Sequence, residues 1–332
     1  MARIFVTHPL PGTAFLRLNE EHQVTVFSAD RFPTKAEIID HLQTAEVLVS
    51  LITDEITPEV IDAAPHLKII ANYAVGYNNI HVDWATRRKI PVLHTPHVLT
   101  DASADLAFAL MLAVARRIVE SDRWLRSGAW TGWKPQQMLG THVTGKTLGI
   151  VGMGRIGIAL ARRARGFEMP ILYTNPERLA LGLERELGAR HTDLEELLTQ
   201  SDFVSLHCPL TPHTRHLINA QRLQQMKQGA ILINTARGPI IDEAALVAAL
   251  QTGPIQGAGL DVFEQEPNIH PDLLTSARVV LTPHTGSATE ETRAEMTALL
   301  VDGIHAILQG NIPHNVVNPE VLRKQQEPDQ DD

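Results

Sequence analysis

A single cysteine, Cys208, leaves no partner for an internal disulfide in a chain of 332 residues and points to a reducing, cytoplasmic setting. Blocks of lysine and arginine are also missing and the net charge is -9, so nucleic acid is excluded as the main partner. Any anionic ligand has to be met by local positive groups. Long apolar runs are absent as well. The longest apolar helical candidate, Leu106 to Val114, lies between Asp105 and the pair Arg116 and Arg117, is too short to span a bilayer, and reads as a core helix. The opening stretch, Met1 to His8, lacks the basic-then-apolar layout of a leader and reads as a strand, so no secretion is expected. No repeat or low-complexity tract occurs. What is present, 44% hydrophobic and 20% charged residues, is a globular composition in a chain long enough for two domains.

Strand-like runs at 2–8, 22–28, 47–52, 68–74 and 91–95 alternate with helical patterns at 35–45, 58–64 and 82–89. That alternation predicts an α/β unit on a parallel sheet. A helix over Ser103 to Arg117 and an aromatic connector from Trp124 to Trp133 follow. A second alternation then places strands at 147–151, 170–174, 203–207, 230–234, 257–261 and 278–282, six in all, with helices such as Glu243 to Leu250 between them. Six strands at this spacing fit a doubly wound sheet. Ala288 to Leu308 reads as one long amphipathic helix that carries the chain back to the first unit. The polar residues 323–332 are expected to be disordered.

The second alternation is organised by Gly145 to Gly157, where a buried strand runs into Gly152, Gly154 and Gly157 and then into a helix. This is a G-x-G-x-x-G loop inside a βαβ unit. Gly152 permits the tight turn, Gly154 lets a pyrophosphate approach the backbone, and Gly157 lets the helix lie close to the strand. Free N–H groups at the helix start face the phosphates, and Arg155 adds a positive charge. Three further sites each put a functional side chain just after a strand, where open parallel sheets bind ligands. Arg237 follows Ala230 to Ile233, and its planar fork suits a carboxylate. Glu266 follows Gly259 to Asp261. His284 follows Leu281, and a histidine held by a carboxylate is a proton donor or acceptor near neutral pH. Alone, each would be structural. Their occurrence together on one dinucleotide-binding sheet favours function.

The glycine loop, Ala236 to Gly238, Asp261 to Pro267 and Thr282 to His284 stand in the order and spacing of the D-isomer-specific 2-hydroxyacid dehydrogenases, which the chain resembles over nearly its whole length. Within that family it is most similar to the glyoxylate/hydroxypyruvate reductases, notably at Thr95 to Ala107 and Gly145 to Gly152. The resemblance implies a discontinuous, flavodoxin-like α/β substrate domain at 1–99 and 286–332 and a Rossmann-type dinucleotide-binding domain at 100–285. It implies reduction of a small 2-oxoacid, glyoxylate or hydroxypyruvate, to the D-2-hydroxyacid by hydride transfer from NAD(P)H. Arg237 would hold the 2-oxoacid, His284 would exchange a proton with its 2-oxygen, and Glu266 would hold the imidazole. Main-chain N–H groups of Val75 and Gly76 would bind the substrate carboxylate, and Leu51 would line the pocket. Cofactor contacts would come from Thr100, Gly152, Gly154, Arg155, Ile156, Gly157, Asn175, Pro209, Thr214, Thr235, Ala236, Asp261, His284 and Gly286, with Asp261 against the nicotinamide carboxamide.

An NAD site usually carries an acid about 20 residues past the loop, for the ribose 2′-hydroxyl. Asn175 stands there instead. A neutral amide removes repulsion of a 2′-phosphate and Arg178 is within reach in sequence, but Pro176 replaces the basic residue common in NADP-using relatives. The balance leans to NADP, with NAD close behind. The pairs His94/His97 and His213/His216 have a metal-like separation without a third ligand nearby and read as structural, so no metal is expected. Cys208 has no activating neighbours and reads as a buried or cofactor-adjacent thiol. Trp124, Trp130 and Trp133 read as the interface of a homodimer. Two other functions compete: a dehydrogenase of another small acid, such as 2-ketogluconate or phosphite, and a cofactor-sensing, corepressor-like binding protein.

Overall fold

Short apolar runs separated by amphipathic helices build two parallel sheets, described here from a computed structural model that covers residues 1–323. By internal packing the chain divides into Met1–Leu99 with Ser287 onward, and Thr100–Gly286. Gly286 thus falls one residue beyond the boundary expected from sequence, because its N–H donates to Asp261 Oδ2 at 2.8 Å. Of the polar stretch at 323–332, only Arg323 is described, and it ends a short helix, Glu320–Arg323. The rest lies outside the described residues.

In the first unit, β1 (Arg3–Val6), β2 (Gln23–Val26), β3 (Val47–Ser50), β4 (Ile69–Asn72) and β5 (Val92–Leu93) pair in the order β2-β1-β3-β4-β5, all parallel. This is the flavodoxin-like order, with its switch point between β1 and β3. β3 and β4 are buried at every position, as expected when helices cover both faces of a sheet. The two faces take alternate residues. Leu48 and Ile70 join Ile38, Leu42 and Ile61 in one cluster, whereas Val47, Val49, Ile69 and Ala71 join Leu18, Leu300 and Ile304 in the other. The long helix behind the second cluster is Glu290–Leu308. It starts two residues later than expected, because Thr289 caps it by accepting the Thr292 N–H at 3.1 Å.

In the second unit, β6 (Leu148–Val151), β7 (Ile171–Thr174), β8 (Ala189–His191), β9 (Phe203–Leu206), β10 (Ile231–Asn234), β11 (Gly257–Leu260) and β12 (Val279–Leu281) pair in the order β12-β11-β10-β9-β6-β7-β8. The sheet therefore has seven strands where sequence predicts six. The additional one, β8, is three residues long and pairs only with β7, and Ala-Arg-His carries no apolar run to betray a strand. Its order reverses between β6 and β9, which places the switch point at the end of β6, where the glycine loop begins. The helix Thr100–Ala115 begins three residues earlier than expected and ends before Arg117, whose φ of 53° is left-handed. A new helix, Ile118–Arg126, follows. Trp124 is therefore helical rather than part of a connector. Among the described residues no helix is long and apolar enough to cross a membrane.

Candidate active site and cofactor loop

The end of β6 turns at Gly152, with φ 95°, and the helix Arg155–Arg165 starts immediately after Gly154. Gly152 and Gly157 are required by close backbone contact. A Cβ on Gly152 would lie 2.5 Å from Cys208 N, and one on Gly157 would lie 2.6 Å from Gly152 O. Gly154 differs: a Cβ there would meet nothing within 4 Å, so the space over this glycine is open to a ligand. No side chain caps this helix, which leaves its first N–H groups, among them those of Arg155 and Ile156, to an anion. Burial pushes the Cys208 thiol up to about 11, so it stays protonated at neutral pH and is no nucleophile.

The other expected cofactor residues follow strand ends. Thr100 opens its helix. Pro209 and Thr214 share one turn after β9, where Thr214 Oγ1 donates to Pro209 O at 2.6 Å. Thr235 and Ala236 follow β10, and the Thr235 hydroxyl is buried without a hydrogen-bond partner. A buried hydroxyl in that state costs about 1–3 kcal/mol until a ligand satisfies it. The open glycine, the uncapped helix and this hydroxyl fit a dinucleotide.

Asn175 follows β7, with its amide donating to Glu177 O at 3.0 Å. Arg178, expected to reach a 2′-phosphate, is instead held by Glu184 through two hydrogen bonds of 2.8 Å. With the Tyr173 hydroxyl adding a third, the Glu184 carboxyl is held down at about 2. Arg178 is thus already engaged at the site where it would be needed.

Three turns of the second unit bring Arg237, Glu266 and His284 into one neighbourhood. Buried Asn234 shapes the first: its Oδ1 accepts the Ala236 N–H at 3.0 Å and its Nδ2 donates to Arg237 O at 2.9 Å. Gly238 then passes so close to the next turn that a Cβ would sit 1.8 Å from Phe263 O. No side chain fits there, and this contact fixes the Arg237 turn to the Glu266 turn. Glu266 Oε1 accepts the Phe263 N–H at 3.0 Å, which leaves Oε2 to meet His284 Nδ1 at 2.9 Å. Burial works to raise the Glu266 pKa, but the hydrogen bond and charge of His284, the Phe263 N–H and Arg237 outweigh it and hold the carboxyl below its usual range. At Arg237 burial works against the charge and pulls its pKa down, with Glu266 opposing.

His284 takes a φ of 51°, a left-handed conformation that costs a non-glycine residue about 1–3 kcal/mol. Asp261 maintains it. The Asp261 carbonyl accepts the His284 N–H at 2.9 Å, its Oδ1 accepts Thr282 Oγ1 at 2.6 Å and the Thr285 N–H at 2.7 Å, and its Oδ2 accepts Gly286 N–H at 2.8 Å. Asp261, expected against a carboxamide, therefore first of all builds the histidine turn, and only Oδ2 has lone-pair capacity left for a further donor. Because Nδ1 faces a carboxylate, it carries a proton, and Nε2 is the atom left for exchange with a substrate.

Sequence reading missed the supports of this arrangement. Glu264 accepts the Glu243 N–H at 3.2 Å, Glu243 accepts the Glu264 and His270 N–H groups at 3.0 and 2.9 Å, and His216 Nε2 meets Glu264 Oε1 at 2.6 Å. His216 is thus tied to the Glu264 turn. Among the described residues a grouping of three possible metal ligands, Glu21, His22 and His305, occurs elsewhere in the first unit. There His22 Nδ1 already accepts the Ala2 N–H at 3.1 Å.

In the first unit, Leu51 follows β3, and Val75 and Gly76 lie in the turn after β4. Asn79 Nδ2 donates to both Leu51 O and Asp54 O at 3.0 Å, and Asn72 Nδ2 donates to Gly76 O at 2.9 Å. Polar side chains therefore hold both segments at the C-terminal edge of their sheet.

Residues 108–286 match the family model for the NAD-binding domain of the D-isomer-specific 2-hydroxyacid dehydrogenases. The chain belongs to this family. It is 51% identical to a glyoxylate reductase from Korarchaeum cryptofilum over 324 residues, 97% of each chain. Among solved structures it is similar to a glyoxylate reductase from Paecilomyes thermophila, at 33% identity and a TM-score of 0.86 over 96% of this chain and 99% of that one. It is also similar to the NADPH-dependent glyoxylate/hydroxypyruvate reductase from Sinorhizobium meliloti, solved with NADP and malonate, at 34% identity and a TM-score of 0.86 over 96% and 97%. As a member of the family, the protein is an NAD(P)-dependent oxidoreductase that reduces small 2-oxoacids.

Proposed function

We propose that the protein reduces glyoxylate and hydroxypyruvate to their D-2-hydroxyacids, with Arg237, Glu266 and His284 as its catalytic residues. The observation that carries this reading is the 2.9 Å contact between His284 Nδ1 and Glu266 Oε2 on a turn fixed to that of Arg237. When bound, NAD(P)H supplies hydride to the carbonyl carbon of the oxoacid. His284 gives its Nε2 proton to the carbonyl oxygen as negative charge develops there. Glu266 keeps the ring oriented and stabilises its positive form before transfer. Arg237 grips the substrate carboxylate with its planar fork, Val75 and Gly76 offer it main-chain N–H groups, and Leu51 limits the pocket. The cofactor is held by the N–H groups at Gly154, Arg155 and Ile156, by Thr100, Pro209, Thr214, Thr235 and Ala236, and by Asp261 Oδ2 and Gly286. Steady-state turnover of glyoxylate, hydroxypyruvate, 2-ketogluconate and phosphite with each cofactor tests the reading. A preference for either of the last two would overturn it.

Asn175 supports NADPH as the preferred cofactor, with NADH also used. Arg178 takes no part in that preference while Glu184 holds it. Asn175→Asp places a carboxylate where the 2′-phosphate would lie and shifts preference toward NADH, through weaker NADPH binding. Repulsion at a partly exposed site amounts to about 1–2 kcal/mol, hence a five- to thirtyfold change in the ratio of catalytic efficiencies. That ratio, measured at saturating glyoxylate, would stay constant if other residues read the 2′ position.

The segment 118–139 supports a homodimer, and the single cysteine supports a cytoplasmic setting for it. Trp133 is 80% exposed and Trp130 47%, and Ile118, Leu125 and Leu139 of the same segment are exposed as well, apolar side chains of the kind that a partner surface would cover. Replacing Leu125 and Trp133 together with aspartate is expected to yield monomers in analytical ultracentrifugation. A native protein already monomeric at micromolar concentration would contradict the interface.

A further inference from the structure

A turn that binds an anion through main-chain N–H groups works only while its peptide planes stay aimed, since a peptide free to swing turns its dipole away from the charge. The turn Ala74 to Tyr77 has three successive carbonyls tied down. Ala74 O accepts the Thr95 N–H at 2.8 Å, Val75 O meets His94 Nδ1 at 2.9 Å, and Gly76 O accepts Asn72 Nδ2 at 2.9 Å. Across a trans peptide the carbonyl and the next N–H point in opposite directions. These three bonds therefore set the directions of the Val75, Gly76 and Tyr77 N–H groups. Among the described residues none of those three groups donates to an acceptor.

We infer that His94 is a positioning residue for substrate binding, its Nδ1–H holding the Val75–Gly76 peptide so that the Gly76 N–H stays turned to the substrate carboxylate. The inference rests on the proposed role of this turn as a carboxylate site. A carbonyl oxygen only accepts, so Nδ1 carries the ring proton. The residue is itself held: the main-chain His94 N–H donates to Asn315 O and buried Asn315 donates back to His94 O, both at 3.1 Å, while the ring lies edge-on to Tyr77 with centroids 5.7 Å apart. The neighbouring Gly76 carbonyl has an independent support. Asn72 and Asn79 exchange amide hydrogen bonds of 3.3 and 3.2 Å, and Asn79 is anchored on the Leu51 and Asp54 carbonyls.

His94→Phe keeps an aromatic ring and removes the donor, whereas in His94→Asn the amide Nδ2 takes up the place of Nδ1. One hydrogen bond made equally in ground and transition states appears in KM. His94→Phe is expected to raise the glyoxylate KM about five- to tenfold, with kcat within about twofold and NADPH affinity unchanged, and His94→Asn to recover most of the loss. Asn72→Leu, on the adjoining peptide, should also raise KM. An unchanged KM in His94→Phe together with a raised one in Asn72→Leu would keep the turn as the carboxylate site and remove His94 from it. Unchanged values in both would overturn the carboxylate role of the turn itself. A loss of kcat and thermal stability in His94→Phe that His94→Asn does not repair would make the residue structural only.

Discussion

Replacing His284 with alanine is expected to lower kcat for glyoxylate reduction by about a thousandfold or more while leaving NADPH affinity nearly unchanged. Reduction creates an alkoxide that has to be protonated, and without the Nε2 proton it must draw on water. On the proposed reading the dinucleotide is gripped elsewhere, by the glycine loop and the uncapped helix Arg155–Arg165, so its dissociation constant isolates folding from chemistry. The backbone at position 284, with φ 51°, strains alanine much as it does histidine because the Cβ is the cause, and the turn that Asp261 holds is unchanged. Pre-steady-state absorbance at the nicotinamide band, with cofactor titration by fluorescence, would separate the two quantities. Turnover like that of the native protein in a folded His284→Ala variant would remove His284 from the mechanism.

Much of this arrangement is legible in the sequence because its signals are local. Strand runs such as Val47 to Ser50 and Ile231 to Asn234 are buried at every position, and central parallel strands announce themselves by continuous apolar residues. The glycine loop is legible for the same reason: Gly152, Gly154 and Gly157 act within six residues of one another. What escapes is set by contacts remote in sequence or by elements too short for a pattern. β8 has three residues and one neighbour. The need for glycine at 238 comes from Phe263, 25 positions away in the chain, and appears only when a Cβ is placed 1.8 Å from its carbonyl oxygen. His216 reads as structural in the sequence, but its partner Glu264, 48 positions away, appears only in the fold. Arg178 looks available for a phosphate until the following helix brings Glu184 back to it; an acid six residues downstream was the signal that could have warned of the pairing. Asp261 shows the subtlest miss. Its place in the motif is plain, whereas its work of holding His284 in a left-handed turn depends on donors at 282, 285 and 286.

Arg237→Ala is expected to reduce kcat/KM for glyoxylate by roughly a hundred- to a thousandfold, because truncating one partner of a desolvated, hydrogen-bonded charge pair costs about 3–4 kcal/mol. Both parameters should move. KM rises because the carboxylate loses its counter-charge, and kcat falls because the same contact orients the carbonyl toward His284. Burial strengthens the effect: it already works against the Arg237 charge, and a charge kept in such surroundings acts on a bound anion with little screening. Lysine is no substitute. Its ammonium is a point charge without the two parallel donors of the guanidinium, so Arg237→Lys should recover less than a tenth of the lost efficiency. The Asn234 bonds that shape the turn run to the Ala236 N–H and the Arg237 carbonyl, main-chain groups that either variant keeps, so the turn should persist. Thermal stability close to native together with unaltered NADPH affinity would certify that the loss lies in substrate binding. Retention of the native KM and kcat by both variants would show that the substrate carboxylate is held somewhere other than Arg237.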